Sequence, residues 1–336
     1  MSTPAQPPVS PVRVLLISTR ETSFVRQDVD LLRQFCTVDH FNGSGPRAGL
    51  EIIRRLRRAD VAVSWFATVY AFVAVLAARL TGKPSLVVIG GADVAKFPDI
   101  GYGIWLSPWK SVLVRYALRH ATRVLAVDPY QVAEAKRLAA YDGSNILYVP
   151  TGYDASRWSP AGAKEPFVLT VAGSHDENRM KKKGLDVLFA AARLLPDVPF
   201  VVVGIWDGIL PRARSLAPAN VTITPFLPQD EVLRYYRRAA VYCQPSYTEG
   251  LPNSLCEAML CGCVPVGTDA GGIPTAIGDR GWVVPYGDPA ALAAALRDAL
   301  AAPPEAGARA RQRIAAEFTL ERRLGELRRV VAEVVR

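Results

Sequence analysis

Pro245 to Pro274 reads PSYTEGLPNSLCEAMLCGCVPVGTDAGGIP, and the placing of its carboxylates, glycines and prolines decides how the rest of the chain is read. Glu249 falls in a Gly/Pro loop. Glu257 falls in the first turn of the helix that Asn253 to Leu260 spell out after Pro252. The free N–H groups at the start of that helix, on Asn253, Ser254 and Leu255, and the positive end of its dipole predict an anion as ligand. The same residues also spell a capping box, with Ser254 as N-cap and Glu257 reaching back to it. The context favours a site. Gly250 follows the first carboxylate, a short apolar strand comes next, and Gly271-Gly272-Ile273-Pro274 closes the stretch, with glycines that let backbone approach a ligand closely.

This pattern resembles the donor-binding core of retaining glycosyltransferases of family 4, and the family's E-x7-E signature falls on Glu249 and Glu257. The resemblance implies an α/β chain of GT-B fold, two Rossmann-like, doubly wound parallel-sheet domains facing each other across a cleft. It implies a nucleotide-diphosphate sugar as co-substrate, with no cofactor and no metal. Glu257 would hold the ribose diol and Glu249 the sugar hydroxyls, with Gly250 and Leu251 beside them, and backbone at Phe226-Leu227 would border the base. The likeness covers nearly the whole chain, most specifically from Phe167 to Tyr286.

Upstream, the strand Phe167 to Ala172 runs into Gly173-Ser174 and a basic loop ending Met180-Lys-Lys-Lys183-Gly184, before a helix from Leu185. A lysine at a strand-to-helix loop meets a pyrophosphate as a compact point charge. Lys183 matches the family's phosphate-binding lysine. Where the family has an arginine directly after the first glycine this chain has Ser174, so Arg179 or Lys181 is the expected replacement.

The first half alternates strand and helix. The strands at Val12–Ser18, Thr37–Phe41, Asp60–Trp65, Ser85–Ile89, Arg123–Val127 and Ile146–Val149 are short and rich in β-branched residues, as in a parallel sheet buried on both faces. Loops at the carboxyl ends of such strands are where open α/β sheets bind ligands. That places Arg20, after the first strand, and Gly90-Gly91-Ala92-Asp93, after the fourth, on the acceptor side. Asp93 is a candidate for binding an acceptor or donor hydroxyl, against the alternative of a tight turn capped by its own carboxylate. Val61 to Leu80 is twenty mostly apolar residues, interrupted by Arg79 near its end, a length that also suits a bilayer. It reads instead as a strand and a helix that stops before Gly82 and Pro84. Asp28-Val-Asp30 lies in mid-helix and reads as a helix face, and Gly43 to Gly49 has the wrong spacing for a dinucleotide loop.

The expected organisation is a disordered tail at 1–10, an acceptor-side domain at 11–150, a linker at 151–165, a donor domain at 166–315 and, at 316–336, a terminal helix packing back toward the first domain. The chain has 336 residues, half of them hydrophobic, enough for two real cores. Its formal charge of +9 sits mostly in residues 1–150, which hold 18 Lys/Arg against 11 Asp/Glu. No nucleic-acid motif accompanies that charge. A phosphorylated acceptor or an anionic membrane surface fits it better, and the aromatic and basic run from Ile104 to His120 is either an interfacial helix or an ordinary packed one. The five cysteines and three histidines give no paired metal-ligand spacing and read as reduced thiols in a cytoplasmic enzyme without a signal peptide.

The function expected is retaining transfer of a sugar to a glycan, glycolipid or other anionic acceptor, of the kind found in cell-envelope or polysaccharide synthesis. A nucleotide-sugar epimerase, a glycan phosphorylase and a non-catalytic glycan-binding protein are the alternatives.

Overall fold

The computed structural model describes residues 11–335; the tail expected over residues 1–10 lies outside them. Six parallel strands form the first sheet: β1 (Arg13–Ser18), β2 (Thr37–Asn42), β3 (Val61–Trp65), β4 (Ser85–Ile89), β5 (Arg123–Ala126) and β6 (Ile146–Tyr148), in the order β2-β1-β3-β4-β5-β6. The helices between them are α1 (Ser23–Arg33), α2 (Ala48–Leu56), α3 (Val69–Leu80), α4 (Pro108–His120) and α5 (Pro129–Ala139). β3 and β4 are buried along their whole length, which is why they read as unbroken apolar runs. The membrane-length stretch divides between β3 and α3 at Phe66, whose φ of 69° turns the chain. Among the described residues no helix is long and apolar enough to cross a membrane.

The second sheet repeats the architecture with β7 (Glu165–Ser174), β8 (Phe200–Ile205), β9 (Val221–Pro225), β10 (Ala239–Gln244), β11 (Val264–Thr268) and β12 (Trp282–Val284), ordered β12-β11-β10-β7-β8-β9. Its helices are α6 (Glu177–Lys182), α7 (Leu185–Arg193), α8 (Leu210–Leu216), α9 (Gln229–Arg238), α10 (Asn253–Leu260), α11 (Ile273–Ile277) and α12 (Pro289–Leu300), followed by α13 (Glu305–Glu317) and α14 (Leu320–Val335). The strand order reverses between β7 and β10, the place where ligands lodge in such sheets. The basic stretch after β7 is not the plain loop the sequence suggests. Asp176 accepts from Arg179 N–H at 2.7 Å as an N-cap and starts α6 there.

The two domains share one core, which runs from β1 and β3 through linker residues Tyr153 and Trp158 into α10, α13 and α14. α14 returns to pack on α1. Its Arg323, fully buried, donates to both oxygens of Asp28 at 3.0 and 2.6 Å and to the Val149 carbonyl at 2.7 Å. Trp65 Nε1 adds a third hydrogen bond to Asp28 at 2.9 Å. The Asp28 read from sequence as part of an outer helix face is therefore the anchor that ties the last helix and the linker to the first domain.

Candidate active site

Glu249 sits at the carboxyl end of β10, facing the turn that follows α6. Gly184 brings the two together: its φ of 67° and a carbonyl of Pro245 lying 1.8 Å from where a Cβ would stand leave room only for glycine. The Tyr247 N–H donates to the Lys182 carbonyl at 2.9 Å and locks the contact. As a result Lys182 Nζ and Lys183 Nζ each meet one oxygen of Glu249 at 2.7 Å. The Ser246 hydroxyl donates to the same carboxylate at 3.0 Å and is itself held by Gln244 Nε2 at 2.7 Å. Burial acts to raise the Glu249 carboxyl, but the two ammonium groups and their hydrogen bonds outweigh it and hold it well below the usual carboxylate range. Lys182, almost wholly buried, is pushed down by desolvation, pulled back by Glu249, and pushed down again by Lys183 and Arg179. The sequence reading singled out Lys183 and missed Lys182; the Lys181-Lys182-Lys183 run was the signal, and only the turn of α6 decides which ammonium groups face inward.

Glu257 is in the opposite condition. It lies in the second turn of α10, not the first, because the helix begins at Asn253 with Pro252 as its N-cap. The capping box therefore does not form, and Ser254 Oγ donates instead to Gln244 Oε1 at 3.2 Å. Among the described residues Glu257 has one hydrogen-bond partner, the Tyr236 hydroxyl at 3.2 Å. Burial pushes its carboxyl up to about 8, against smaller downward effects of Tyr236 and Arg157. A carboxylate with so few partners has capacity for two more hydroxyl donors.

The start of α10 is partly spent. Leu255 N–H turns back to the Pro252 carbonyl at 3.1 Å and its side chain is fully buried, so its expected place among the ligand contacts is corrected. Asn253 Oδ1 accepts from Tyr153 of the linker at 2.7 Å. The N–H groups of Asn253 and Ser254 have no protein acceptor among the described residues. Arg179 faces the same space from α6, with a buried Nε that has no acceptor among the described residues.

Together these groups border a cleft of about 1260 Å³ between the domains. Glu249, Gly250, Leu251, Asn253, Ser254 and Glu257 form its second-domain wall with Gly173, Arg179, Lys183 and Leu227, and Arg20 and Gly90 face them from the first domain. Gly91 lines a smaller cavity beside it. Ser174 is fully buried with its hydroxyl turned into the fold, so it does not stand in for the family's arginine. Asp93 is also corrected: its carboxylate is buried and accepts from the N–H groups of Ala67 at 3.1 Å, Gly90 at 3.2 Å and Gly91 at 2.7 Å. It staples the loop after β4 and does not offer a free carboxylate. The glycine pair at 271–272 likewise serves packing, since the Glu249 carbonyl lies 2.1 Å from a Cβ built on Gly271. Phe66 and Tyr102, not singled out from sequence, also line the cleft.

Two doubly wound parallel sheets with a charged cleft at their facing carboxyl ends are the GT-B fold. Solved structures share the whole architecture: sucrose-phosphate synthase from Thermosynechococcus elongatus (TM-score 0.78, 16% identity, 96% of this chain and 98% of that one) and Anabaena HepE in complex with UDP (TM-score 0.77, 14% identity, 96% and 100%). Residues 166–302 match the family model described as glycosyl transferases group 1. The D-inositol 3-phosphate glycosyltransferase of Mycolicibacterium vanbaalenii is 30% identical over 241 residues, covering 63% of this chain and 53% of that protein. The putative teichuronic acid biosynthesis glycosyltransferase of Bacillus subtilis is 27% identical over 203 residues, 58% and 49%. The likeness to glycosyl transferases of group 1 thus falls on the second domain, and the chain spans about half the length of these curated relatives.

Proposed function

We propose that the protein is a retaining glycosyltransferase that moves a sugar from a nucleotide-diphosphate sugar to an acceptor held by the first domain. The observation that carries this reading is the meeting of two distant segments, Lys182-Lys183 and Glu249, at the point where the strand order reverses, with the under-partnered Glu257 on the same cleft wall. The ribose diol donates its two hydroxyls to Glu257. The diphosphate lies between Arg179, Lys183 and the N–H groups of Asn253 and Ser254. As the bond to the sugar breaks, negative charge grows on the leaving phosphate, and these groups stabilise it without needing a metal ion. Glu249 is paired with Lys182 and Lys183; when phosphate draws Lys183 away, one of its oxygens becomes free to orient sugar hydroxyls. The acceptor hydroxyl then attacks on the face that the diphosphate leaves, and passes its proton to the departing phosphate oxygen.

The similar proteins, a D-inositol 3-phosphate glycosyltransferase and a putative glycosyltransferase of teichuronic acid biosynthesis, suit an anionic acceptor. The outer face of the first domain adds a site of action. α3 packs between α2 and α4; Leu50, Arg54 and Arg57 are exposed at α2 and Trp109, Lys110 and Val112 on α4 are exposed or half-exposed, with Lys110 Nζ 5.5 Å from the Trp109 ring. An apolar and basic face of this kind binds anionic lipid. Co-sedimentation with phosphatidylglycerol vesicles that is independent of salt and unaffected by Trp109→Ala removes this part of the reading.

Calorimetric titration with UDP, GDP, dTDP and ADP in the presence of EDTA tests the donor site. Binding of one nucleotide by the wild type and its loss in Glu257→Ala are the expected results. Binding of none turns attention to a phosphorylase or a glycan-binding protein. Conversion of the donor sugar without any acceptor identifies an epimerase.

A further inference from the structure

The loop after β4 crosses the cleft and grips Lys182 from both sides. Phe97 and Tyr102 pair through two backbone hydrogen bonds of 2.8 and 3.0 Å around a tight turn. Glycines with φ of 58° and 116° flank Tyr102, and a Cβ on the second, Gly103, would fall 1.9 Å from the Ala95 carbonyl. No other residue fits there, so the turn is held in one shape. The Phe97 ring packs on Tyr247 of the second domain with centroids 5.3 Å apart, and Tyr247 is the residue whose N–H binds the Lys182 carbonyl. The Tyr102 ring completes the grip: Lys182 Nζ stands 5.1 Å from its centroid and Arg179 Cζ 5.9 Å. Both distances lie within the range of cation–π attraction.

We propose that Tyr102 is a positioning residue that the first domain supplies to the cation cluster of the second, seating Lys182 and Arg179 so that the cluster is complete only when the domains are closed. Its purpose rests on the donor reading above; its test does not. The buried Lys182 is repelled by the half-buried Lys183 and Arg179, and one carboxylate cannot neutralise all three together. The negative face of the ring supplies attraction where a fourth charged group would compete with phosphate. Because the ring belongs to the other domain, an open cleft leaves Lys182 and Arg179 without it, and donor cleavage is tied to closure.

The charged and titratable groups facing Lys182 are Glu249, Lys183, Arg179 and Tyr102, and substitution at Tyr102 changes one of them alone. Nuclear magnetic resonance of the ligand-free full chain with 13C-labelled lysine, the Lys182 signal assigned with Lys182→Arg, gives its titration midpoint across a pH series. Tyr102→Phe keeps the ring and leaves that midpoint in place. Tyr102→Leu keeps apolar bulk but removes the ring's charge distribution, and lowers the midpoint by about half to one pH unit. Inorganic pyrophosphate binds the Leu variant about two- to fivefold more weakly, and the Phe variant like wild type. Thermal unfolding checks both, and Tyr102→Met replaces the Leu variant should that one not fold. An unchanged or raised midpoint in Tyr102→Leu overturns the proposal, because a ring that only excludes water gives that result. Equal shifts in the Phe and Leu variants overturn it too. A wild type that binds neither pyrophosphate nor nucleotide sinks the donor reading while the midpoint comparison still decides the role of Tyr102.

Discussion

Glu249 and Glu257 stand on the same wall of one cleft and are both withdrawn from water, yet their surroundings drive them in opposite directions. Glu249 has two ammonium groups and a serine hydroxyl and stays ionised. Glu257 has one phenol, and burial pushes it up to about 8. A carboxylate that is already satisfied within the protein organises the site, and one left short of donors is where a ligand's hydroxyls belong. The pair therefore divides the work between holding the cations and receiving the substrate. Asp28 makes the comparison three-way, because Arg323 and Trp65 satisfy it as fully as the lysines satisfy Glu249, but beside the linker and away from the ligand groups.

The largest effect expected is that of Glu249→Gln. It leaves Lys182 and Lys183 buried without a counter-charge, and breaking such a pair costs about 3–5 kcal/mol of stability. Urea unfolding at pH 7 measures the loss, and the sign of its pH dependence checks its origin. The folded-state value of Glu249 is depressed, so its contribution is present above the ordinary value of 4.5 and fades as pH falls below it. The gap between wild type and variant should close in acid; a gap independent of pH breaks the account. Arg323→Met comes next, with a cost of about 3 kcal/mol because Asp28 is stranded. Nucleotide affinity should stay within about twofold at temperatures where the variant is folded, since no cleft group has changed. Adding Asp28→Asn should recover much of the stability. A loss of affinity as deep as that of Glu257→Ala would mean that satisfied carboxylates near the linker are part of the site after all.

Much of the architecture was readable because parallel strands buried on both faces declare themselves as apolar runs, and ten-residue alternations with helices leave few topologies. The carboxylate spacing was readable too. What the sequence hid was direction. Nothing in Gly90-Gly-Ala-Asp93 tells whether the carboxylate points at a ligand or at its own loop's N–H groups, and the structure turns it inward. Helix caps were equally hidden: α10 spans Asn253–Leu260 as the sequence reads, but with Pro252 and not Ser254 as its N-cap Glu257 falls in the second turn, and the cap of α6 at Asp176 selects Lys182 as well as Lys183. Tyr102 carried no signal at all, because its role depends on a contact between domains and its neighbours in sequence read as an ordinary glycine turn. Local pattern shows which residues gather at a strand end; packing decides which atoms they present.

Glu257→Gln tests the other half of the comparison. The folded value near 8 lies above the unfolded 4.5, so the folded wild type holds a proton that the unfolded chain gives up, and its stability declines as pH rises through that window. The glutamine variant carries no such proton and should lack the decline, a divergence on the order of a few kcal/mol between pH 5 and 8. A parallel pH course in both proteins would show that Glu257 is solvated and that its under-partnered state is not what marks the ribose site.

The smallest effect is the most specific. If two ribose hydroxyls donate to Glu257, they favour its ionised form, so nucleotide binding at pH 7 must expel the proton that burial keeps on the empty site. Calorimetry in phosphate-free buffers of different ionisation heats should show up to about one proton released per nucleotide, falling toward zero above pH 8, where the carboxyl is already ionised. Affinity should rise with pH over the same range and level off there. Glu257→Gln should bind more weakly and release none, while substitutions at Tyr102 should leave the release intact. Because phosphate beside the depressed Lys182 takes up protons in both proteins, the decisive quantity is the difference, and a wild type that releases no more protons than Glu257→Gln would place the ribose elsewhere and leave Glu257 as a buried acid that α10 tolerates without using.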